Sequence, residues 1–425
     1  MEDLTLARAE INRIDAEMAR LFEERMKAVE QIARYKKERG LPVRDPAREA
    51  EMIDRRGKEI SDPDLLPYYV TFLKNTIDVS CRYQTNLLSG TKIPVNLPHG
   101  SYDIILEPGA LSRVGSYLNL DRKVLIVTDS GVPSAYADCV ERAARDAVRV
   151  VLPQGEASKT MGQLQYLLRR MLEADFSRGD CVCAVGGGVV GDLAGFASAC
   201  YMRGIEFYNI PTTLLAQLDS SIGGKTAVDF EGVKNVVGAF RQPGAVLIDP
   251  DVLSTLDARQ LHAGLAEAVK MAATSDEALF AMLERCEHPE TELPEIIRRS
   301  LLIKKQVVEL DPEEAGLRKV LNFGHTLGHA VEAFHGGELL HGECVGLGML
   351  PMSAPPVRER IREILRKLDL PAEIHDRAED LLPYLVHDKK KAADGITTVQ
   401  VEDIGTFAFR KMTAEEILDR LEMAR

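Results

Sequence analysis

The sequence predicts a multidomain fold: an all-α module first, an α/β part in the middle and a mainly α-helical part at the end. Residues Leu4 to Arg39 contain neither Pro nor Gly, and their apolar positions recur at alternating intervals of three and four. That is the pattern of a long helix with a coiled-coil-like seam. From about residue 95 onward, short apolar runs alternate with helical ones, as strands do when they cross to helices. Farther on, Leu321–Glu343 holds four of the chain's nine histidines (His325, His329, His335, His341), which marks it as a metal or acid/base centre.

The 425 residues leave room for two or three domains. No apolar run approaches the roughly 20 residues that cross a bilayer. The charged start, MEDLTLARAEINRID, lacks a signal-peptide core, so export is not expected. Seven cysteines without a CxxC pair fit a reducing cytoplasm. A net charge of −13 argues against nucleic acid and anionic membranes, while small anionic substrates need only a local cationic cluster.

Taken in order, the first helix runs Leu4–Arg39, about 50 Å at 1.5 Å per residue. A single small domain cannot cover that length, so the helix is expected to pack on a second protomer. Arg25 interrupts the seam, and Lys36 lies on nearly the same face. An anion site inside a helical bundle accounts for both; a register-setting polar residue would account for Arg25 alone. Gly40 and Pro42 end this helix. A second starts near Pro46 with Asp45 as its N-cap, and a third spans about 65–88.

The pattern R-x-x-I-x-x-I-D, then ERM, then K-K-x-x-G-x-P-V-R-D-x-x-R-E, resembles the all-helical class of chorismate mutases over roughly residues 4–88. The resemblance implies substrate contacts at Arg8, Arg25, Lys36, Asp45, Arg48, Glu49, Ser80 and Gln84. Arg25, Lys36 and Gln84 are the ones closest to the chemistry. Such a site needs no nucleophile, because the rearrangement is intramolecular. Arginine forks hold two carboxylates, and Lys36 with Gln84 donates to the ether oxygen. Arg8 points about 100° away from Arg25 on the helix; in the resembled class the equivalent Arg comes from the partner of an interlocked dimer.

Residues 89–98 read as linker and first strand. Strands then follow at Arg122–Thr128, Val148–Pro153 and Asp180–Val185, with Cys181 and Cys183 as buried small hydrophobes. The last of these strands leads into Gly186-Gly187-Gly188-Val-Val-Gly191-Asp192 and a helix, the strand–glycine turn–helix context of a phosphate-binding turn. A carboxylate some 20 residues on is not evident, since Glu206 is expected mid-strand. Downstream, Asp219, Lys225, Glu267 and Lys270 gather acids and bases, with the amide of Asn235 among them. Glu267 and Lys270 are three apart on one helix face, and Glu267 is the best candidate to complete a metal site begun by the histidines.

GGGVVGDLAGF, PTTLLAQLDSSIGGKTAV, KNVVGAF, GLAEAVK and LNFGHTLGHAVE…HGE follow in register. Together they resemble 3-dehydroquinate synthases, within the sugar-phosphate cyclases, over roughly residues 95–425. The resemblance implies a Rossmann-like NAD-binding part and a helical metal-binding part, giving domains at 1–90, 91–255 and 256–425. It places Zn²⁺ on Glu267, His325 and His341, although two histidines and a carboxylate also describe a non-haem iron site. NAD⁺ contacts fall on Asp129, Glu156, Lys159, Gly188, Asp192, Thr212, Thr213, Asp219 and Thr255.

The same resemblance puts substrate on Arg203, Asp219, Lys225, Asn235, Lys270, Lys304, Arg318, Asn322, His329 and, from the late DKKK run, Lys390. Lys225, Asn235, Lys270 and His329 lie around the phosphate and ring oxygens. Lys304, Arg318 and Asn322 hold a carboxylate. The implied substrate is 3-deoxy-arabino-heptulosonate 7-phosphate, and NAD⁺ turns over without net redox. Arg203 implies a second dimer contact. His335 is expected to be a capping or surface residue.

Two features depart from the resembled pattern. The segment after Met349 is short, which puts the cover of the site in question, and Arg241 stands where a His is usual. The competing readings are a cyclase making another carbocycle, such as 2-deoxy-scyllo-inosose, and a helical module that only dimerises or senses a ligand.

Overall fold

The structure, a computed structural model, describes residues 2–39, 45–88, 91–98, 100–387 and 395–424. Lys390 and its DKKK neighbours lie outside the described residues. The chain divides into two compact units, Met1–Lys92 and Ile93–Arg425.

The first unit is three helices, α1 (Glu2–Glu38), α2 (Pro46–Gly57) and α3 (Leu66–Leu88). Asp45 caps α2 by accepting from the Arg48 amide at 3.0 Å, with Pro46 just inside. Val29 and Ala33 of α1 are buried, as are Ile77 and Cys81 of α3. The N-terminal half of α1 is different: Leu4, Ile11, Ile14, Met18 and Leu21 are all exposed in the single chain.

The second unit is built on a seven-stranded sheet. Its strands are β1 (Thr91–Leu97), β2 (Gly100–Leu106), β3 (Lys123–Asp129), β4 (Asp146–Leu152), β5 (Cys181–Gly186), β6 (Glu206–Pro211) and, two strands later in the chain, β9 (Ala245–Ile248). Their order is β1-β2-β9-β6-β5-β3-β4, parallel from β2 to β4. Alternate residues supply the two faces. Val124, Ile126, Cys181 and Cys183 pack with Ala137 and Val140 of α4 (Ser134–Ala143). Leu125, Val127, Val182 and Ala184 pack with α5 (Met161–Glu173) and α6 (Gly188–Cys200). A sheet covered on both faces explains the unbroken apolar strands. The expected strands shift by one or two residues, and Glu206 opens β6 instead of lying within it.

An antiparallel hairpin, β7 (Lys225–Phe230) and β8 (Val233–Phe240), stands apart from the large sheet. The helical part follows: α7 (Ala258–Ser275), α8 (Glu277–Arg285), α9 (Pro289–Leu310), α10 (His325–Phe334), α11 (His341–Met349), α12 (Pro355–Lys367) and α13 (Ala378–His387). A small hairpin, β10 (Ile396–Gln400) with β11 (Ala408–Met412), and α14 (Ala414–Ala424) complete it. Where α7 crosses α11, a Cβ on Gly342 would lie 1.9 Å from the Ala263 carbonyl oxygen, so only glycine permits this approach. No helix among the described residues is long and apolar enough to cross a membrane.

Candidate active site

Three helices bring the predicted metal residues together. His325 opens α10 and His329 follows one turn later; His341 opens α11; Glu267 lies mid-α7. The three imidazoles each present a ring nitrogen within 4.8 Å of the others. Beneath them Glu267 is fully buried, with Oε1 at 3.7 Å from Nε2 of both His325 and His341. Lys270 Nζ lies 2.5 Å from Oε2, yet neither carboxylate oxygen has a hydrogen-bond partner among the described residues. The lysine is close but off the hydrogen-bonding direction. A buried carboxylate left in this state is costly, and a cation between it and the imidazoles would satisfy it.

The tautomers agree. His325 Nδ1 faces the Phe323 carbonyl at 3.2 Å and His341 Nδ1 faces Glu332 at 3.0 Å. Both contacts suit the neutral tautomer with its hydrogen on Nδ1, which leaves Nε2 facing Glu267. Burial pushes His325 well below the usual imidazole range, with Lys270, His341 and His329 adding to the effect. For His341 burial acts the same way, but Glu332 and Glu267 outweigh it and raise the ring above its ordinary value.

Above this cluster opens a cavity of about 600 Å³. Asp219, Lys225, Asn235, Lys270, Lys304, Arg318, Asn322 and His329 all line it, so the expected substrate residues from distant segments do converge. Lys304 is buried and pairs with Asp219 at 2.6 Å. Burial pushes this ammonium down to about 8 against the pull of Asp219. Burial would raise Asp219, but Lys304 and Lys270 overcome it and hold the carboxylate low. Arg318, also buried, donates to the Pro312 carbonyl at 2.6 Å and the Gly223 carbonyl at 3.2 Å. Lys225 donates to Glu314, and Asn322 donates to the same carboxylate at 3.0 Å.

Glu314 is a residue that sequence reasoning missed. It sits one turn's spacing before Arg318, with a left-handed φ of 62° that a non-glycine residue rarely holds. Glu332, between His341 and Lys234, was missed too. Its signal was the spacing: positions 325, 329 and 332 share one helix face.

The expected cofactor residues lie elsewhere. Asp129 ends β3, Glu156 and Lys159 follow β4, Gly188 begins α6 after β5, Thr212 and Thr213 follow β6, and Thr255 follows β9. This is the carboxyl edge of the parallel sheet, where ligands of such sheets bind. Of the nine residues, only Asp192 and Asp219 line the cavity. Asp192 pairs with Lys159 at 2.6 Å, and burial pushes its carboxyl up to about 6 despite that lysine. The glycines of the turn also answer to packing. A Cβ on Gly186 would meet Val190 at 2.6 Å, and one on Gly187 would meet Thr213 at 3.1 Å.

Some expectations find other surroundings. Arg203 is exposed, holds φ 68° and does not line the cavity. Nothing in 350–370 lines it either, so the short segment after Met349 provides none of its wall. Arg241 donates to the Ile205 carbonyl, tying the end of the β7–β8 hairpin to the turn before β6. His335 is the C-cap of α10 and meets Asp376 at 2.9 Å, in keeping with the capping position expected of it.

In the first unit, Arg25 donates to Ser80, which donates on to the Thr76 carbonyl at 2.7 Å. Burial lowers the Arg25 guanidinium. Gln84 is buried one turn beyond Ser80, and its Oε1 has no partner among the described residues. Glu49 lies 3.9 Å from Cys81 Sγ, and Lys36 is half-buried. Asp45, as the helix cap, and Arg48, paired with Glu51 at 2.6 Å, are exposed. Arg8 is exposed and lies about 25 Å along α1 from Arg25 at 1.5 Å per residue.

Comparison with known proteins agrees with both halves. Residues 7–85 match the family model for chorismate mutase type II, 149–263 that for the 3-dehydroquinate synthase N-terminal domain, and 264–391 that for its C-terminal domain. The chain is 40% identical over 353 residues to a 3-dehydroquinate synthase from Streptococcus thermophilus, covering 78% of this chain and 99% of that protein. It is 39% identical over 354 residues to the one from Lactococcus lactis subsp. cremoris, with the same coverage. Among solved structures, a 2-deoxy-scyllo-inosose synthase complexed with carbaglucose-6-phosphate, NAD⁺ and Co²⁺ superposes with a TM-score of 0.71 at 25% identity, over 79% of this chain and 100% of that one. A 2-epi-5-epi-valiolone synthase from Streptomyces hygroscopicus with NAD⁺ and Zn²⁺ bound gives 0.71 at 29%, over 77% and 98%.

Proposed function

Because this chain belongs to the 3-dehydroquinate synthase family and carries a chorismate mutase type II domain ahead of that part, we propose that it catalyses two specific reactions. One converts 3-deoxy-arabino-heptulosonate 7-phosphate to 3-dehydroquinate and inorganic phosphate. The other rearranges chorismate to prephenate. In the first, one C–O bond to phosphate breaks and one C–C bond forms, with no net oxidation. The chain is thus a bifunctional enzyme of the aromatic pathway. In this reading residues 1–90 are the mutase, 91–255 hold NAD⁺ and 256–425 hold the metal, in a cytoplasmic homodimer.

The observation that carries the synthase reading is the buried Glu267 carboxylate, which has no hydrogen-bond partner among the described residues apart from the Lys270 ion pair and lies 3.7 Å from Nε2 of both His325 and His341. A divalent cation such as Zn²⁺, held by Glu267, His325 and His341, would supply Lewis-acid polarisation of substrate hydroxyls. NAD⁺ at the carboxyl edge, with Asp129, Glu156, Lys159, Gly188, Asp192, Thr212, Thr213, Asp219 and Thr255 as its candidate contacts, would take up and return one hydride. Lys304, Arg318 and Asn322 hold the substrate carboxylate, for which Glu314 must release Asn322. Lys225, Asn235, Lys270 and His329 hold the phosphate and ring oxygens. Arg203 reaches a second copy's phosphate site, and Lys390 is a further substrate contact.

In the mutase, Arg25 and Arg48 clamp the carboxylates together with Arg8 of a second copy, and Asp45, Glu49 and Ser80 complete the pocket. Lys36 and Gln84 donate to the ether oxygen as charge develops there. The exposed apolar seam of α1 supports the dimer. The test is to incubate the purified full chain with each substrate separately. Absence of prephenate would refute the mutase reading, and phosphate release that survives exhaustive chelation would refute the metal.

A further inference from the structure

Three side chains link the metal-facing histidine to the β7–β8 hairpin. His341 Nδ1 meets Glu332 Oε2 at 3.0 Å, and Glu332 Oε1 accepts from Lys234 Nζ at 2.7 Å. The three residues come from α11, α10 and β8. His341 lines the cavity, whereas Glu332 and Lys234 do not. Lys234 adjoins Asn235, whose backbone is held at φ 55° with its amide on Asp229 Oδ1 at 2.8 Å. Glu332 itself is mostly buried, whereas Lys234 is half-exposed. A buried carboxylate that spends one oxygen on an imidazole N–H fixes which ring nitrogen is bare and where the ring points. Its other oxygen fixes where Lys234, and with it the start of β8, must lie.

We infer that Glu332 is a positioning residue for the metal ligand His341, and that Lys234 ties this relay to the β7–β8 hairpin, so that filling the metal site also orders the hairpin carrying Asn235. The inference deepens the metal reading of the site and rests on it. A plain ion pair between Lys234 and Glu332 would stabilise the fold without touching metal affinity. The relay affects both the metal and the hairpin.

The probe is Co²⁺, titrated into the metal-free full-length protein and read by its visible absorption, with amide hydrogen exchange over residues 225–240 measured before and after loading. Glu332→Gln is expected to bind Co²⁺ about 10–100-fold more weakly while melting within a few degrees of the native protein when metal-free. Lys234→Met keeps the carboxylate–imidazole contact, so it should bind Co²⁺ within a few-fold of native. It should lose the metal-induced protection of the hairpin amides. Equal Co²⁺ affinity in Glu332→Gln would overturn the positioning of His341. Undiminished metal-induced protection in Lys234→Met would overturn the tether, and that measurement decides alone should Glu332→Gln not fold. If the native protein takes up no Co²⁺, it is the underlying metal reading that falls.

Discussion

The close approach of α11 to α7 offers a direct test of how the site is assembled. Gly342 follows His341 on α11, and a Cβ there would lie 1.9 Å from the Ala263 carbonyl oxygen and 2.6 Å from its carbon. Both atoms are helix backbone, so no rotamer change relieves the clash. Ordinary contact begins at 3.4 Å, and Gly342→Ala must therefore move α11 away from α7 by about 1.5 Å at this point. Ala263 lies one turn before Glu267, so the same displacement separates His341 from Glu267. Overpacking against a rigid neighbour costs about 3 kcal/mol, the upper end of its usual range, which in a unit of this size lowers the melting temperature by roughly 5 °C. Gly179→Ala, whose Cβ would meet nothing nearer than Ser177 Oγ at 3.7 Å, is the control. Differential scanning calorimetry and Co²⁺ titration of both variants are the assays. Gly342→Ala with native melting temperature and native Co²⁺ affinity would refute the account of the α7–α11 crossing.

Other outcomes follow from the two sites and from one surface pair. Lys36→Ala should abolish prephenate formation and leave phosphate release from the heptulosonate phosphate intact; loss of both, measured on one preparation, would mean that the two units are coupled. Chelation should stop phosphate release and added Zn²⁺ should restore it, with chorismate turnover unaffected throughout. Asp276 caps α8 and takes two hydrogen bonds from Arg299, at 2.8 and 2.9 Å. Burial would raise its carboxyl, but Arg299 and the Leu279 amide hold it below its ordinary value. Its folded pKa is thus depressed, so its stabilisation is present above about pH 4 and fades as pH falls below that. Asp276→Asn should cost about 1.5 kcal/mol at pH 7, and its urea midpoint should draw closer to the native one as pH falls through the depressed pKa of Asp276.

Those elements whose determinants are local were legible in the sequence. The seam of α1, the Asp45 cap and the buried strands needed only periodicity and capping chemistry. His325 and His329 share a face because they are one turn apart, and Glu267 was found because a lysine three residues on marked a charged helix face in an apolar context. The β7–β8 hairpin was not legible. Its turn uses Glu231 and Gly232, both at positive φ, 49° and 78°, the form that two-residue hairpin turns favour. Glutamate in place of Asn or Asp hides that signal. The pairing of Lys304 with Asp219 spans 85 residues, and that of Lys225 with Glu314 spans 89. No local pattern encodes such partners, because tertiary packing sets them.

These pairings change how an acidic chain handles anionic ligands. The net charge is −13, so no broad positive field draws an anion toward the cavity. Within it, each lysine already faces a carboxylate of this chain: Lys270 faces Glu267, Lys304 faces Asp219 and Lys225 faces Glu314. Among the described residues, Arg318 is the lining cation whose side chain hydrogen-bonds only to backbone carbonyls. Burial lowers that guanidinium, while Glu314 and Asp219 partly counter the loss. An incoming carboxylate therefore gains most at Arg318, where it meets a buried cation with no direct anionic partner among the described residues and displaces none. At Lys225 it must exchange with Glu314, so the net gain there is the difference between two similar ion pairs. Affinity in such a cavity comes from the one unmatched guanidinium, and selectivity comes from whether the ligand can replace the carboxylates the chain already supplies.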